Sequence, residues 1–260
     1  GDFPTSVNAY DKSKNSTGSN TDIIITKISP DGTLMLGSTF VGGNNNDGLT
    51  SGSALMYNYS DDYRGDIIPD NAGNVFVATC TQSTNFPNKN GTMGDKAKLD
   101  GVVFQLNSDL SDLLWSTYVG GDQDDALYSV KLDDKENIYV AGGTASTDLD
   151  PDTLALEDTF QGQTDGYIAK FNTADKSMER ITYWGTPQKD QIYFIQIDQR
   201  GNLFAMGQTE GVVVPSAKTY NVPNTGQFIL KIDTQLLAVT KQTVVGKRPG
   251  NPDISPSAFL

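Results

Sequence analysis

Apolar residues in this chain fall in short runs at consecutive positions, such as Val75-Phe76-Val77-Ala78 and Leu203-Phe204-Ala205-Met206. Strands of this kind are buried on both faces, because a strand with only one covered face alternates apolar and polar residues. Val, Ile, Tyr, Phe and Thr dominate the runs, and Gly, Asn, Asp and Pro separate them. Residues 127–184 show the arrangement best. They predict strands at 127–132, 138–143, 166–172 and 178–184, with a turn over Asp133–Asn137 and a second turn at ADKS. No amphipathic stretch of helical length is present, and 154–160 (LALEDTF) allows a helical turn or two at most.

The strand pattern repeats. Asp70–Asn74 (DNAGN), Asp133–Asn137 (DDKEN) and Asp198–Asn202 (DQRGN) each precede an apolar run, and their Asn residues stand 63 and 65 positions apart. A second landmark comprises TDIIITKI, LDGVVFQL, TDGYIAKF and TGQFILKI, whose second position is Asp22, Asp100, Asp165 and Gly226. A third, STFVGG, returns as STYVGG, ITYWG and QTVVG. From Gly120 to Gly185 is 65 residues and from Gly185 to Gly246 is 61, whereas Gly42 to Gly120 is 78. The longer step predicts a surface insertion around 43–60.

Doubly buried four-stranded units with a common period predict an all-β chain. The expected architecture is a β-propeller of four-stranded antiparallel blades, with a β-sandwich as the alternative. The expected organisation is a partial blade over 1–43, blades over 44–121, 122–186 and 187–247, and the start of another over 248–260. This amounts to about four blade equivalents, near the lower limit for a propeller. The chain therefore reads either as a closed ring, with strands from the two ends sharing a blade, or as a segment of a larger propeller. Strand two of each unit, including 75–79 and 203–207, is expected to be buried on both faces.

Charge and composition narrow the chemistry. Lys and Arg number 19 against 32 Asp and Glu, for a net charge of −13. This opposes docking on nucleic acid or anionic lipid. No apolar run approaches the roughly 18 residues of a membrane span, so membrane insertion is not expected. The chain has no His and a single Cys, Cys80. That removes Ser-His and Cys-His nucleophile pairs, His bases, His metal ligands and any internal disulfide.

The fixed polar positions have a structural explanation. Asp70, Asp133 and Asp198 can accept turn amides, and Asn74, Asn137 and Asn202 tolerate the left-handed backbone of tight hairpins. Asp62, Asp125 and Asp190 stand eight positions before the turn Asp residues and suit hydrogen bonds between units. Asp148, Asp150 and Asp152 alternate as in a calcium loop, but Thr153 replaces the required Gly and Thr159 the twelfth-position Glu. A solvated acidic loop is the better reading there, as it is for GGDQDD (120–125). Cys80 reads as a small core residue and Trp115 and Trp184 as core or rim aromatics. Tyr57, Tyr59, Tyr63 and Arg64 either pack the insertion onto the body or form a recognition surface. Arg64-Gly65-Asp66 is a weak adhesion tripeptide.

DNAGNVFVATCTQSTNFP (70–87), TDGYIAKF (164–171) and STYVGG (116–121) together resemble the bacterial β-propeller repeat known as SBBP. The long unit DGLTSGSALMYNYSDDYRGDIIPDNAGNVFVA resembles the propeller region of large Bacteroidota gliding-motility-associated surface proteins. Proteins of that group are exported by type IX secretion. The third turn departs from the repeat by lacking Gly before Asn137, and the last unit by carrying Gly226 in place of Asp. The family supplies no catalytic residues. The resemblance implies a noncatalytic, extracellular or cell-surface module for scaffolding, adhesion or protein interaction, with a protein or surface glycan as partner and no cofactor. A carbohydrate-binding or carbohydrate-active propeller is the alternative, and an enzyme of that kind needs two carboxylates about 5 to 9.5 Å apart. A component of the secretion or gliding apparatus is a third. The segments that differ most between units, and so the expected contact sites, are 85–98, 148–163, 210–224 and 44–63.

Overall fold

In the second to fourth units, each predicted set of strands folds as a simple antiparallel meander. The computed structural model describes residues 3–57, 61–91, 99–149, 155–223 and 225–246. The first sheet pairs β1 (Ile23–Ile28) with β2 (Met35–Val41). The second contains β3 (Asp66–Pro69), β4 (Val75–Thr81), β5 (Asp100–Leu106) and β6 (Leu113–Val119). The third contains β7 (Asp125–Leu132), β8 (Ile138–Thr144), β9 (Asp165–Phe171) and β10 (Met178–Trp184). The fourth contains β11 (Asp190–Ile197), β12 (Leu203–Thr209), β13 (Gln227–Ile232) and β14 (Val239–Val245). No sheet closes on itself, and among the described residues the only helical element is a 3-10 turn at Asp61–Tyr63. Residues 155–160 form no helix.

The sheets stack on one another, with β7 against β3, β4 and β5 and β11 against β7, β8 and β9. This explains the consecutive apolar runs. In β4, Phe76 and Ala78 share a core with Val130, Ile138 and Val140 of the third sheet, while Val77 faces the first sheet with Ile25 and Val41. In β8, Ile138 and Val140 face the second sheet, and Tyr139 and Ala141 face Leu203 and Ala205 of the fourth. Strands β5, β8 and β9 are buried throughout.

β12 departs from the expectation. Leu203, Ala205 and Gly207 are buried, but Phe204 and Met206 are half-buried. Their face is the one directed away from the third sheet, and among the described residues no further sheet covers it. The insertion falls a few residues later than the spacing suggested, over 48–65. Asp47 bridges to Thr81, as Asp125 pairs with Thr144 and Asp190 with Thr209. Asp47, not Asp62, is therefore the repeat counterpart of Asp125 and Asp190. Residues 48–65 interrupt the first strand of the second sheet between that bridge and β3, so the eight-residue spacing of Asp62 from Asp70 is fortuitous.

Candidate functional site

The three turn motifs share one geometry. Asp70 Oδ1 accepts the amides of Ala72 and Asn74 at 2.9 and 2.8 Å, and its Oδ2 accepts Asn74 Nδ2 at 2.9 Å. Asp133 binds Lys135, Asn137 and Asn137 Nδ2 at 2.9 Å each. Asp198 does the same with Arg200, Asn202 and Asn202 Nδ2 at 2.9, 2.8 and 2.7 Å. These carboxylates close Asx-type turns. The left-handed residue is not the Asn but the one before it, with φ of 83° at Gly73, 61° at Glu136 and 74° at Gly201. The Asn contributes its side-chain amide. Glu136 takes a conformation that favours Gly, and its Oε1 accepts the Asn71 amide of the neighbouring sheet's turn at 2.9 Å.

A second set of carboxylates lies buried between sheets. Asp47 accepts the Gly43 amide at 2.8 Å and the Ser83 hydroxyl at 3.2 Å, and also binds the Thr81 hydroxyl. Asp125 accepts the Gly121 amide and the Ser146 hydroxyl, both at 2.7 Å. Asp190 accepts the Thr186 amide at 2.6 Å and its hydroxyl at 2.7 Å. A strand-three acid stands beside each. A Cβ on Gly120 would lie 2.7 Å from both Asp100 Oδ1 and Asp125 Oδ2, so only Gly lets the chain pass between them. The third junction adds Glu157, whose Oε2 accepts the Gly185 amide at 3.2 Å. Burial pushes Asp47 up to about 6 and Asp125, Asp165 and Glu157 up to about 7, against their local hydrogen bonds. Burial raises Asp190 as well.

The insertion packs against the first strands of the third and fourth sheets in one buried cluster. β7 and β11 carry matching bulges, with register shifts between Leu127 and Ser129 and between Ile192 and Phe194. The bulges re-aim Tyr128 and Tyr193 out of their ladders, and the two rings stand 5.5 Å apart in a cluster with Leu55, Cys80, Leu99 and Ala126. Gly142 and Gly207 make the bulges possible, because a Cβ at either would strike the carbonyl of Ala126 or Gln191 on the bulged strand. Arg64 lies 3.9 Å over the Tyr193 ring and its Nε meets Asp61 Oδ1 at 2.7 Å, with side-chain exposures of only 9% and 0%. Gln191 Nε2 donates to the Leu55 carbonyl at 2.9 Å, and Tyr57 OH to Glu210 at 2.7 Å. Sequence reasoning missed the two bulged tyrosines, Leu55 and Asp47. The available signal was Gly142 and Gly207 standing where the interrupted unit has Thr79.

The remaining candidates take structural places. Asp148 Oδ1 accepts the Asp122 amide at 2.8 Å, as Asn85 accepts that of Asn44 one unit earlier, while Asp150 and Asp152 lie outside the described residues. Among the described residues no three acidic, His or Cys side chains are grouped to hold a metal. In the 120–125 segment, Asp124 accepts the Ala54 amide of the insertion at 3.0 Å. Asp66 begins β3 and binds Ser129, the Val130 amide and Lys131 of the next sheet, so the Arg64-Gly65-Asp66 tripeptide is not displayed. Trp115 and Trp184 are buried, and burial pushes the Cys80 thiol up to about 12. Tyr57 packs the insertion onto the body and Tyr63 is exposed, while Tyr59 and residues 247–260 lie outside the described residues. Among the described residues no helix is long and apolar enough to cross a membrane.

Two openings stand out. A groove of about 650 Å³ runs between β1 and β3–β4. A polar cavity of about 570 Å³ lies beside the insertion, lined by Asn45, Ser51, Ser53, Gln82 and Asp124. No protein-family model matches the chain, and no curated protein is similar to it at a significant level.

Proposed function

We propose that this chain is a noncatalytic scaffold, adhesion or protein-interaction module of a large secreted bacterial surface protein. It would act outside the cell, with a protein or surface glycan as partner. On this reading the four sheets are successive blades of a β-propeller, or of a segment of one, with β3, β7 and β11 nearest the axis. The observation that carries the reading is where the polar groups are used. Asp47, Asp70, Asp125, Asp133, Asp190 and Asp198 accept amides of their own repeat or of the adjoining junction. The centre, where an axial ligand would sit, is occupied by Leu55, Arg64, Tyr128 and Tyr193. A repeated position serves the fold, whereas a catalytic site is ordinarily made once. The SBBP-like repeats support secretion of the gliding-motility-associated, type IX kind. The loops between strands two and three, together with the 48–65 insertion, are where one unit differs from the next and where a partner would be selected.

The test applies the purified chain to glycan and surface-protein arrays and to a panel of polysaccharide and peptide substrates. Saturable binding without turnover is expected. Turnover abolished by one Asp or Glu substitution would overturn the reading in favour of a carbohydrate-active or proteolytic enzyme.

A further inference from the structure

The first sheet has two strands where the other three have four. β5, β9 and β13 each pair along one edge with β4, β8 and β12 respectively. β1 occupies the same place in the repeat, since Asp22 matches Asp100 and Asp165, yet among the described residues only β2 pairs with it. The first sheet is nevertheless seated normally. The Asp47 amide donates to the Thr21 carbonyl at 2.8 Å, as Asp125 does to Leu99 and Asp190 to Thr164. Ile25 and Val41 share a core with Val77 and Phe104. What remains is the groove lined by Ile23 and Ile25 of β1, Ile67 of β3 and Val77 of β4. Ile67 is 51% exposed there, whereas Val130 and Ile195, at the same position of the next two sheets, are 0% and 1% exposed.

We propose that the free edge of β1 and this groove form an acceptor for one extended, uncharged partner strand with the pattern of β4, β8 and β12. The three internal examples define the partner's chemistry. Val75–Thr81, Ile138–Thr144 and Leu203–Thr209 contain no charged residue, and all end in Thr. Main-chain hydrogen bonds along β1 supply affinity, and alternate side chains covering Ile67 and Val77 supply specificity. The register follows from β8 on β9, where Thr144 faces Asp165, Ala141 faces Ile168 and Ile138 faces Phe171. On β1 the partner's Thr lies opposite Asp22, a small residue opposite Ile25 and an apolar one opposite Ile28. An acidic segment is disfavoured, because Asp22, Asp47 and Asp66 already line the site and the chain is negative overall. The acceptor rests on the ladder geometry and is independent of the scaffold reading.

The probe is a fluorescent peptide of residues 137–146 (NIYVAGGTAS), titrated into the full chain. Saturable binding is expected, with slowed amide exchange confined to Ile23–Ile28 and the facing β3–β4 positions. The same peptide carrying Val140→Pro and Gly142→Pro should not bind, because these two amides lie on the side that faces the strand-three edge, whereas those of Tyr139 and Ala141 face strand one. Ile67→Glu, at an exposed position, should leave the melting temperature of the free chain unchanged and weaken the peptide about tenfold or more. Absence of binding, protection elsewhere, or equal binding to Ile67→Glu would overturn the proposal. So would protection, in the free chain, of the Ile24 and Thr26 amides, which face away from β2; that would assign the groove to the chain's own residues 247–260.

Discussion

Single side chains decide the turns. Asp133 satisfies two backbone amides and the Asn137 side chain at once, with the Tyr139 hydroxyl 3.4 Å from its second oxygen. Asp133→Ala should cost about 1–3 kcal/mol, the range for leaving buried or half-buried donors unpaired. The loss should be visible as a lower midpoint in urea with an unchanged slope. Binding to any partner found should persist in the folded variant, and loss of binding without loss of stability would make Asp133 a contact residue. Glu136 shows how far a repeat tolerates departure. It replaces the glycine of the other turns at a left-handed φ of 61°, and its hydrogen bond to the Asn71 amide offsets part of the strain.

Strands and junctions hold the next level of information. The buried acids Asp47, Asp125, Asp165 and Glu157 sit above their unfolded values because burial disfavours their charged forms. Each therefore takes up a proton on folding. Its contribution to stability is full below about pH 4 and is lost as the pH rises through about 6 to 7. The acids held low, Asp31, Asp109, Asp175, Asp198 and Glu179, act in the opposite sense only at more acidic pH. Calorimetry should thus show a melting temperature that falls between pH 5 and 8, and Asp125→Asn should flatten the fall. A melting temperature that rises over this window would count against the buried-pair geometry. The insertion is a further such element. Arg64→Ala would leave Asp61 buried without its cation, which costs about 3–5 kcal/mol in comparable sites. An exposed surface change would cost within about 0.5 kcal/mol, so thermal denaturation of this variant separates a central latch from a loose loop. The strands and turns were legible in the sequence because their apolar runs and Asp–Asn spacing are local signals. The bulges left only an indirect trace, Gly142 and Gly207 on the facing strands, since Tyr128 and Tyr193 themselves differ from their neighbours only in register. Nor was the true partner of Asp125, because the 48–65 insertion lengthens the distance from Asp47 to its turn to 23 residues.

At the scale of the whole molecule, the repeat makes the same residue a probe of its surroundings. Phe76, Tyr139 and Phe204 each stand two positions after the turn Asn; Phe76 and Tyr139 point toward the following sheet, and Phe204 takes the corresponding face of the fourth. The sequence treats them alike and predicts equal burial. The stack does not, because burial on the second face depends on a neighbouring sheet and not on the strand itself. Phe76 is 1% exposed against the third sheet and Tyr139 is 0% exposed against the fourth. Phe204, on the last sheet described, is half-buried, with the Lys231 ammonium 5.8 Å from its ring centroid. Phe76→Ala should therefore cost about 3–5 kcal/mol, the transfer and cavity cost of a fully buried aromatic. Phe204→Ala should cost less than about half as much, because much of the ring meets water in both the folded and unfolded states. Paired urea titrations of the two variants measure the difference directly. Equal losses would mean that the outer face of the fourth sheet is covered in solution, and would remove the asymmetry between the inner and outer members of the stack.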